Sequence, residues 1–571
     1  MAKNKLPAFV MATSFLLSVN AQAGFKCQPA YNLKDFKQNP QQFMDQVPAK
    51  LDPATCQAAK APQFWSQQAI QDNQFVLDKD QERAKFKMSY QDANGLSQQV
   101  DLGKILPGKA GIEGNDRAER LVDLGNSIYR TLEEMENDGL LEGSLTEMPW
   151  SDDYWAIARG VLGHRYSDQD FVDEKDSVYN SGDGDHIWKR LADFVFEPID
   201  VQNSGRGDLS KYVYRANQSP FALYSASNKG VDLSPAEKYD LLIGDKNFTM
   251  TKLSWEEGFS YYKEYGKVEN WMGICHGWAP AAYMMPRPTK SIEVTAADGK
   301  VIKFRPSDLK ALGSMLWAKT QNATNFIGGR CNDKDAKKDP DSGRILSQDC
   351  FDNNPGSWHM SVVNQIGRSN RSVVMDATFD YEVWNHPIVS YSYRYFNPEK
   401  MEYANDLASA TVNKSDFASD KFKKFREKNR RHYRKIDRFV GVEMEVKYAV
   451  ETHPTTRNND RPSYDGHNVV HYTYDLELDK NGKIIGGEWY SNKHPDFLWT
   501  PPVGTLAKTG VESRNQRLFD AMKWDPSSEP FPSNKEIVSG RSYGDIIVQY
   551  ASQNQSSPLG QVVRELFNYA K

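Results

Sequence analysis

"NWMGICHGWAPAAY" runs from Asn270 to Tyr283. It sets one cysteine directly before His276 and Gly277, just ahead of a small, apolar run. Pro280 suits a helix's first turn, and Pro286 and Pro288 end any helix here. A short helix beginning at Cys275 would place the sulfur at its positive end, where the dipole favours a thiolate. The Cys275 backbone N–H would then point at developing negative charge. Asn270 and Trp271 are the upstream candidates for a second donor.

The other cysteines sharpen this reading. There are five: Cys27, Cys56, Cys275, Cys331 and Cys350. The economical pairing is Cys27–Cys56 near the N-terminus and Cys331–Cys350 across a polar loop. Other pairings can be drawn. The odd number leaves one thiol over, and Cys275 is the one this pairing leaves, which favours a reactive role in an oxidising compartment.

That compartment is read from the first 23 residues. Lys3 and Lys5 precede the largely apolar stretch 6–19, and Ala21-Gln-Ala23 is a small-x-small cleavage site. The pattern predicts a signal peptide over 1–23 and an exported chain, secreted or periplasmic. No later apolar run approaches the roughly 20 residues of a membrane span. Net charge is −5, or −7 without the two leader lysines. Such mild acidity argues against a nucleic-acid partner.

At 571 residues the chain exceeds one hydrophobic core. Composition shifts predict a helical N-terminal region over 24–215, a second unit over 216–440 and a strand-rich region over 441–571, an α+β whole. In the first region Leu121, Leu124, Ile128, Leu132 and Met135 recur at helical spacing. In the second, "LSPAEKYDLLIG" carries full helix punctuation: Ser234 caps, Pro235 opens, Glu237 completes a capping box and Gly244 stops it. "SIEVTAADGKVIKF" is a hairpin turning at Asp298-Gly299. The next helix, capped by Ser307, presents Leu309, Leu312 and Leu316 on one face. In the third, "VEMEVKYAVETH" and "HYTYDLELDKNGKIIGGEWY" alternate as strands.

"GSWHMSVVNQIGRSNRSVVMDATFDYEVWNHP" (Gly356 to Pro387) then reads as two strands around the turn 367–371. His359 and Asp376 would oppose each other across that hairpin. Directly opposed residues have Cβ atoms roughly 4.5–5.5 Å apart. A carboxylate on one imidazole nitrogen leaves the other for a thiol, the base-plus-orienter arrangement a cysteine nucleophile needs. The bland reading is a buried Cys275 and a satisfied strand histidine. His276 is a rival base, but its neighbour position on a helix points it elsewhere.

These motifs together resemble a known family. "NWMGICHGWAPAA", "LSPAEKYDLL", "PWSDDYW", "HPDFLW" and "DATFDYEVWNHP" are similar to the secreted transglutaminases of the oomycete elicitor type, which also have bacterial members. "VWNHPIVSYSY" resembles the family's plant-recognised surface peptide, which begins Val-Trp-Asn-Gln-Pro. Here His386 replaces the glutamine. The resemblance implies a papain-like cysteine core. It implies Cys275 as nucleophile, His359 as base and Asp376 as orienting acid, with Asp380 the lesser alternative. It implies acyl transfer from a protein glutamine to a lysine or small amine, with Trp271 and Trp278 lining a water-excluding channel. No cofactor is required, although the family leaves room for a divalent cation. A cysteine protease or a glutamine deamidase would use the same triad. A catalytically dead recognition protein is the non-enzyme alternative.

Three further stretches are weighed. "ELDKNGKIIGGE" loosely fits a calcium loop, but Asn481-Gly482 between strands is a hairpin turn. "KFKKFREKNRRHYRKIDR" is a basic helix, either solvated or a docking patch for acidic proteins. The region 24–215, including "PWSDDYW", is either a stable domain or a pro-segment over the active site.

Overall fold

The structure is a computed structural model. It describes residues 25–29, 32–38, 44–59, 87–91, 97–101, 116–168, 219–226, 228–265, 268, 271–320, 322–329, 338, 345, 353–377, 383–416, 435–521, 524–532, 536–538, 541–553 and 557–571. The signal peptide, Asn270, Asp380, Cys331, Cys350 and most of the basic stretch after Lys421 lie outside them.

The strands that position the site form one antiparallel sheet. They are β1 (Glu142–Ser144), β4 (Asn325–Gly328), β5 (Val374–Asp376), β6 (Asn385–Asn397), β7 (Arg438–Val450), β8 (Gly466–Leu478), β9 (Ile484–Trp489) and β10 (Phe497–Thr500). A separate hairpin joins β2 (Ile292–Thr295) to β3 (Val301–Phe304). The sheet order is β9-β8-β7-β6-β5-β10-β4, with β1 paired to β6. The alternation read after residue 440 becomes β7 and β8, joined in unbroken register from Arg438 opposite Leu478 to Val450 opposite Gly466. Past β10 the chain turns to helices, including Tyr543–Gln553 and Gly560–Ala570.

Six helices matter below: α1 (Pro235–Ile243), α2 (Thr249–Tyr265), α3 (Cys275–Met284), α4 (Pro306–Lys319), α5 (Pro355–Val362) and α6 (Gly560–Ala570). The punctuation of α1 is as read. Ser234 accepts from the Glu237 N–H, the Glu237 carboxylate takes the Ser234 N–H, and Gly244 turns left-handed at φ 81°. For α4 the cap moves. Arg305 is the N-cap, its N–H held by Asp308 at 2.7 Å, because Pro306 takes the first helical position. Ser307 instead accepts the Thr455 N–H. The face of Leu309, Leu312 and Leu316 is buried, and each such side chain contributes about 1.5–3 kcal/mol.

Two expected elements form differently. The stretch 121–135 is not one helix: short 3₁₀ turns at Ala118–Arg120 and Gly125–Ser127 precede an α-helix at Leu132–Asn137. Gly125 adopts φ 51° and Ile128 is extended, which breaks the repeat. Leu121, Ile128, Leu132 and Met135 still share one core. Nor is 356–387 a hairpin. Asn354 caps α5, Pro355 opens it, and the chain continues into a wider π-type turn over Val363–Arg368. Among the described residues of that stretch, only those of β5 and β6 are strands.

The described N-terminal region is not simply helical. Lys87–Gln91 pairs with Ser97–Asp101, and β1 adds to the main sheet. Residues 150–162 and 118–145 enter the two large cores. The Cys27–Cys56 disulfide is present and Cys275 is free. Asn481-Gly482 forms a hairpin turn, with Gly482 at φ 80°.

Helices α3 and α4 pack closely because Gly277 has no side chain. A Cβ there would overlap the Ser314 carbonyl and the backbone of Ala318. Gly277→Ala is expected to destabilise by about 1–3 kcal/mol, read as a lower urea midpoint at unchanged slope.

Candidate active site

Helix α3 begins at Cys275, and Pro280 falls in its second turn rather than its first. A proline within a helix offers no N–H to the carbonyl one turn before it. The helix is held by tertiary contacts instead. The segment "PWSDDYW" straps along it: Tyr154 O accepts the Ile274 N–H at 2.7 Å, Met272 O accepts the Ile157 N–H at 2.9 Å, and Trp278 donates to Trp150 O at 3.0 Å. The strap is anchored on its other side by Thr452, which donates to Asp152 O, and by Lys310, which donates to Ser151 O.

Cys275 is 6% exposed. Its thiol donates to the Val383 carbonyl at 3.9 Å and accepts from the Asn385 side-chain amide at 3.7 Å. Burial pushes the thiol up to about 11. The Asn385 N–H groups, backbone and side chain, pull it down, while Glu451 and Asp376 push it up. The resting sulfur is therefore a thiol.

Asp376 ends β5 directly opposite Asn385 at the start of β6. Its Oδ1 accepts the Trp384 N–H at 3.0 Å, which ties the two strand ends together. Directly opposed residues project from the same face, so Asp376 and Asn385 share the Cys275 side of the sheet. Sequence reading found Asp376 but not Asn385.

His359 is not brought to Cys275. Strand alternation separates them. Val374, Phe497 and Trp499 pack with Ala279 of α3 on one face. Met375 and Leu498 pack with Trp358 and Val362 of α5 on the other. His359 belongs to that second face: Nδ1 bonds the Tyr474 hydroxyl at 2.9 Å, the ring meets Tyr393 edge-on, and Nε2 has no hydrogen-bond partner among the described residues. Burial drops it to about 3. The expected opposition to Asp376 needed a hairpin, and the chain forms a helix there.

Glu451 follows β7 and is buried. Burial pushes its carboxyl to about 8. Its Oε1 stands 3.8 Å from His386 Nε2. His386 Nδ1 donates to the Ala449 carbonyl at 2.9 Å, and burial lowers the ring to about 3, so Nε2 is a bare acceptor. The stretch expected at the surface is thus interior here: Val383, Trp384, Asn385 and His386 are all buried, with His386 edge-on to Trp278 and stacked on Trp384. His276 is half-buried, and desolvation lowers it to about 4.

Trp271 is buried and Trp278 wholly so, both in the same large core. Among the described residues, no group of three or more His, Cys, Asp or Glu side chains could hold a metal ion. Among them, too, no helix is long and apolar enough to cross a membrane.

Against known proteins, residues 262–517 match the family model described as transglutaminase elicitor. That span covers just under half of the chain and includes Cys275, His359, Asp376, Asn385, Glu451 and Trp499. No curated protein matches. Among solved structures, the GP42 transglutaminase from Phytophthora sojae aligns over 78% of this chain and 98% of its own, at 19% identity and a TM-score of 0.42.

Proposed function

We propose that the chain is an exported protein-glutamine γ-glutamyltransferase with Cys275 as its nucleophile. The observation that carries this reading is a free cysteine at the first residue of a helix, facing Asn385 and Asp376 on adjacent strands, inside the segment that matches a transglutaminase family. A papain-like core fits the same arrangement: a cysteine helix lies against one face of an antiparallel sheet whose neighbouring strands carry its partners. Substrates would be proteins bearing glutamine, with lysine or small amines as acceptors.

The chemistry follows from the thiol. Sγ attacks the carbon of a glutamine side-chain amide, the S–C bond forms and the carbonyl oxygen takes the negative charge. Collapse breaks the C–N bond and expels ammonia, which carries away the protons. An amine then attacks the thioester, the new C–N bond forms, and sulfur leaves to regain its proton. Trp271, at 7% exposed, is the residue proposed to keep water from competing, while Trp278 packs wholly within the core. Of the two carboxyl groups that act electrostatically on Cys275, Glu451, buried and 3.8 Å from His386 Nε2, is proposed to take the proton of the thiol. His386 stands behind it. Asp376 holds the strand ends in register.

Biotinylated primary amine supplied with a glutamine-rich acceptor tests the reading. Label on the acceptor with released ammonia is the expected result. Ammonia without label would make the protein a deamidase, and acceptor fragments would make it a protease. The absence of label, ammonia and fragments alike would sink the enzyme reading.

His359 gives a sharper test of the base. His359→Gln breaks the bond to Tyr474 and is expected to cost about 1–3 kcal/mol of stability. Amine incorporation should stay within about tenfold of wild type. A loss of several thousandfold in a stably folded variant would return the base role to His359.

A further inference from the structure

The residues around Cys275 contain one polar side chain that no local sequence pattern singles out. Asn385 is 4% exposed, sits at the start of β6, and turns its amide nitrogen to the sulfur. Its orientation is not arbitrary. Trp499 Nε1–H, 2.8 Å from the other end of the amide, can only donate. The atom facing Trp499 must therefore be the Asn385 oxygen, and the NH₂ group must face Cys275. Trp499 closes the motif "HPDFLW" on β10, and β10 pairs with β5, the strand whose Asp376 lies opposite Asn385. Three strands thus fix one amide.

From this geometry we infer that Asn385 is the charge-receiving donor of the site, and that Trp499 is its positioning residue. The inference rests on the acyl-transfer reading above. In the resting state the Asn385 amide donates to Sγ. As the thiol loses its proton, the same N–H meets a full negative charge, and a charge-assisted bond is about twice as strong as a neutral one. When Sγ bonds to the glutamine carbonyl carbon, negative charge moves from sulfur to the carbonyl oxygen. The Asn385 N–H and the Cys275 backbone N–H, which at the first helical residue lacks an intrahelical acceptor, are the two donors positioned to follow it. No proton leaves Asn385 at any step. It also accounts for "VWN" and "HPDFLW", which the nucleophile alone does not need.

The experiment compares wild type, Asn385→Ala, Asn385→Asp and Trp499→Phe in the full chain. Two quantities are read: the pH midpoint of the Cys275 thiolate absorbance, taken as the difference from Cys275→Ala, and the separate kcat and KM for amine incorporation. Asn385→Ala is expected to raise the thiolate midpoint by about one unit. It should lower kcat by roughly 10²-fold with little change in KM. Asn385→Asp, the same shape with an acceptor and a charge, should raise the midpoint further. Trp499→Phe keeps the donor but releases its orientation, so both effects should be smaller and of the same sign. If Asn385→Ala does not fold, Asn385→Asp and Trp499→Phe decide the matter. Variants that titrate like wild type and keep kcat within about threefold overturn the inference. The titration needs no glutamine substrate, so the two readings fail separately. A wild type whose thiolate responds to Asn385 but which transfers no acyl group defeats the transferase, while a wild type that transfers it indifferent to Asn385 defeats this proposal alone.

Discussion

Cys275→Ala is expected to abolish amine incorporation and ammonia release together, by on the order of 10⁵-fold in kcat/KM. Among the described cysteines Cys275 is the free one, the others being joined as Cys27–Cys56. The loss should be in chemistry and not in folding. Cys275 is a small side chain at a helix start, so its truncation should change stability by about 1 kcal/mol or less. Intact glutamine-substrate binding with no burst of ammonia, in a variant that melts like wild type, would locate the effect at the thiol. Residual incorporation above about one per cent of wild type would mean that the thioester does not form on Cys275.

The contrast between α1 and the 356–387 stretch shows what the sequence could carry. Capping is local chemistry. Ser234, Pro235, Glu237 and Gly244 announce α1 within eleven residues, and the structure repeats them one for one. Asp298-Gly299 announces its hairpin equally locally. In 356–387 the eye is drawn to the polar turn around Gly367, but Trp358, Val362 and Ile366 recur every fourth residue, a helical period, and Asn354-Pro355 is a start signal. A π-type turn then carries the chain to Arg368, and no periodicity announces such a turn. His359 consequently lands on the far face of the sheet. In 121–135 the error is reversed: the spacing is helical, and Gly125-Asn126-Ser127 breaks it.

The site itself was half legible. Cys275 followed from cysteine counting and proline placement. The reading of Asp376 rests on an opposition to His359 that the fold does not form; Asp376 pairs instead with Asn385 on β6. Asn385 lies 110 residues from Cys275 and Trp499 a further 114 from Asn385. Contacts at that separation leave no local pattern. Glu451 was invisible for the same reason, and also because a carboxyl at the end of an alternating strand ordinarily reads as solvated. What marks it is burial, which only the fold supplies.

Glu451→Gln is expected to act in opposite directions on catalysis and on stability, and that opposition separates a base from a merely structural acid. For activity, the carboxyl must be ionised to accept the thiol proton, so the wild-type rate should climb as pH rises through about 8. The amide cannot accept it, so kcat should fall by roughly 10²–10⁴-fold and the climb should disappear. For stability the sign reverses. Burial raises Glu451 from its ordinary 4.5 to about 8. Between those two values the unfolded chain has released the proton that the folded chain keeps, so folding stability falls as pH rises through that window and levels off above it. One such group contributes at most about 1.4 kcal/mol per pH unit there. Asp152 and Asp240, raised by burial to about 7 and about 8, add slopes of the same sign that the substitution leaves in place. Urea unfolding of Glu451→Gln should therefore show a shallower loss of stability between pH 5 and pH 8 than wild type, and a higher midpoint than wild type at pH 9, while His386 Nε2 gains an amide donor in place of the acid. A variant that loses activity and alkaline stability together would make Glu451 a structural partner of His386 and leave the thiol proton to another acceptor.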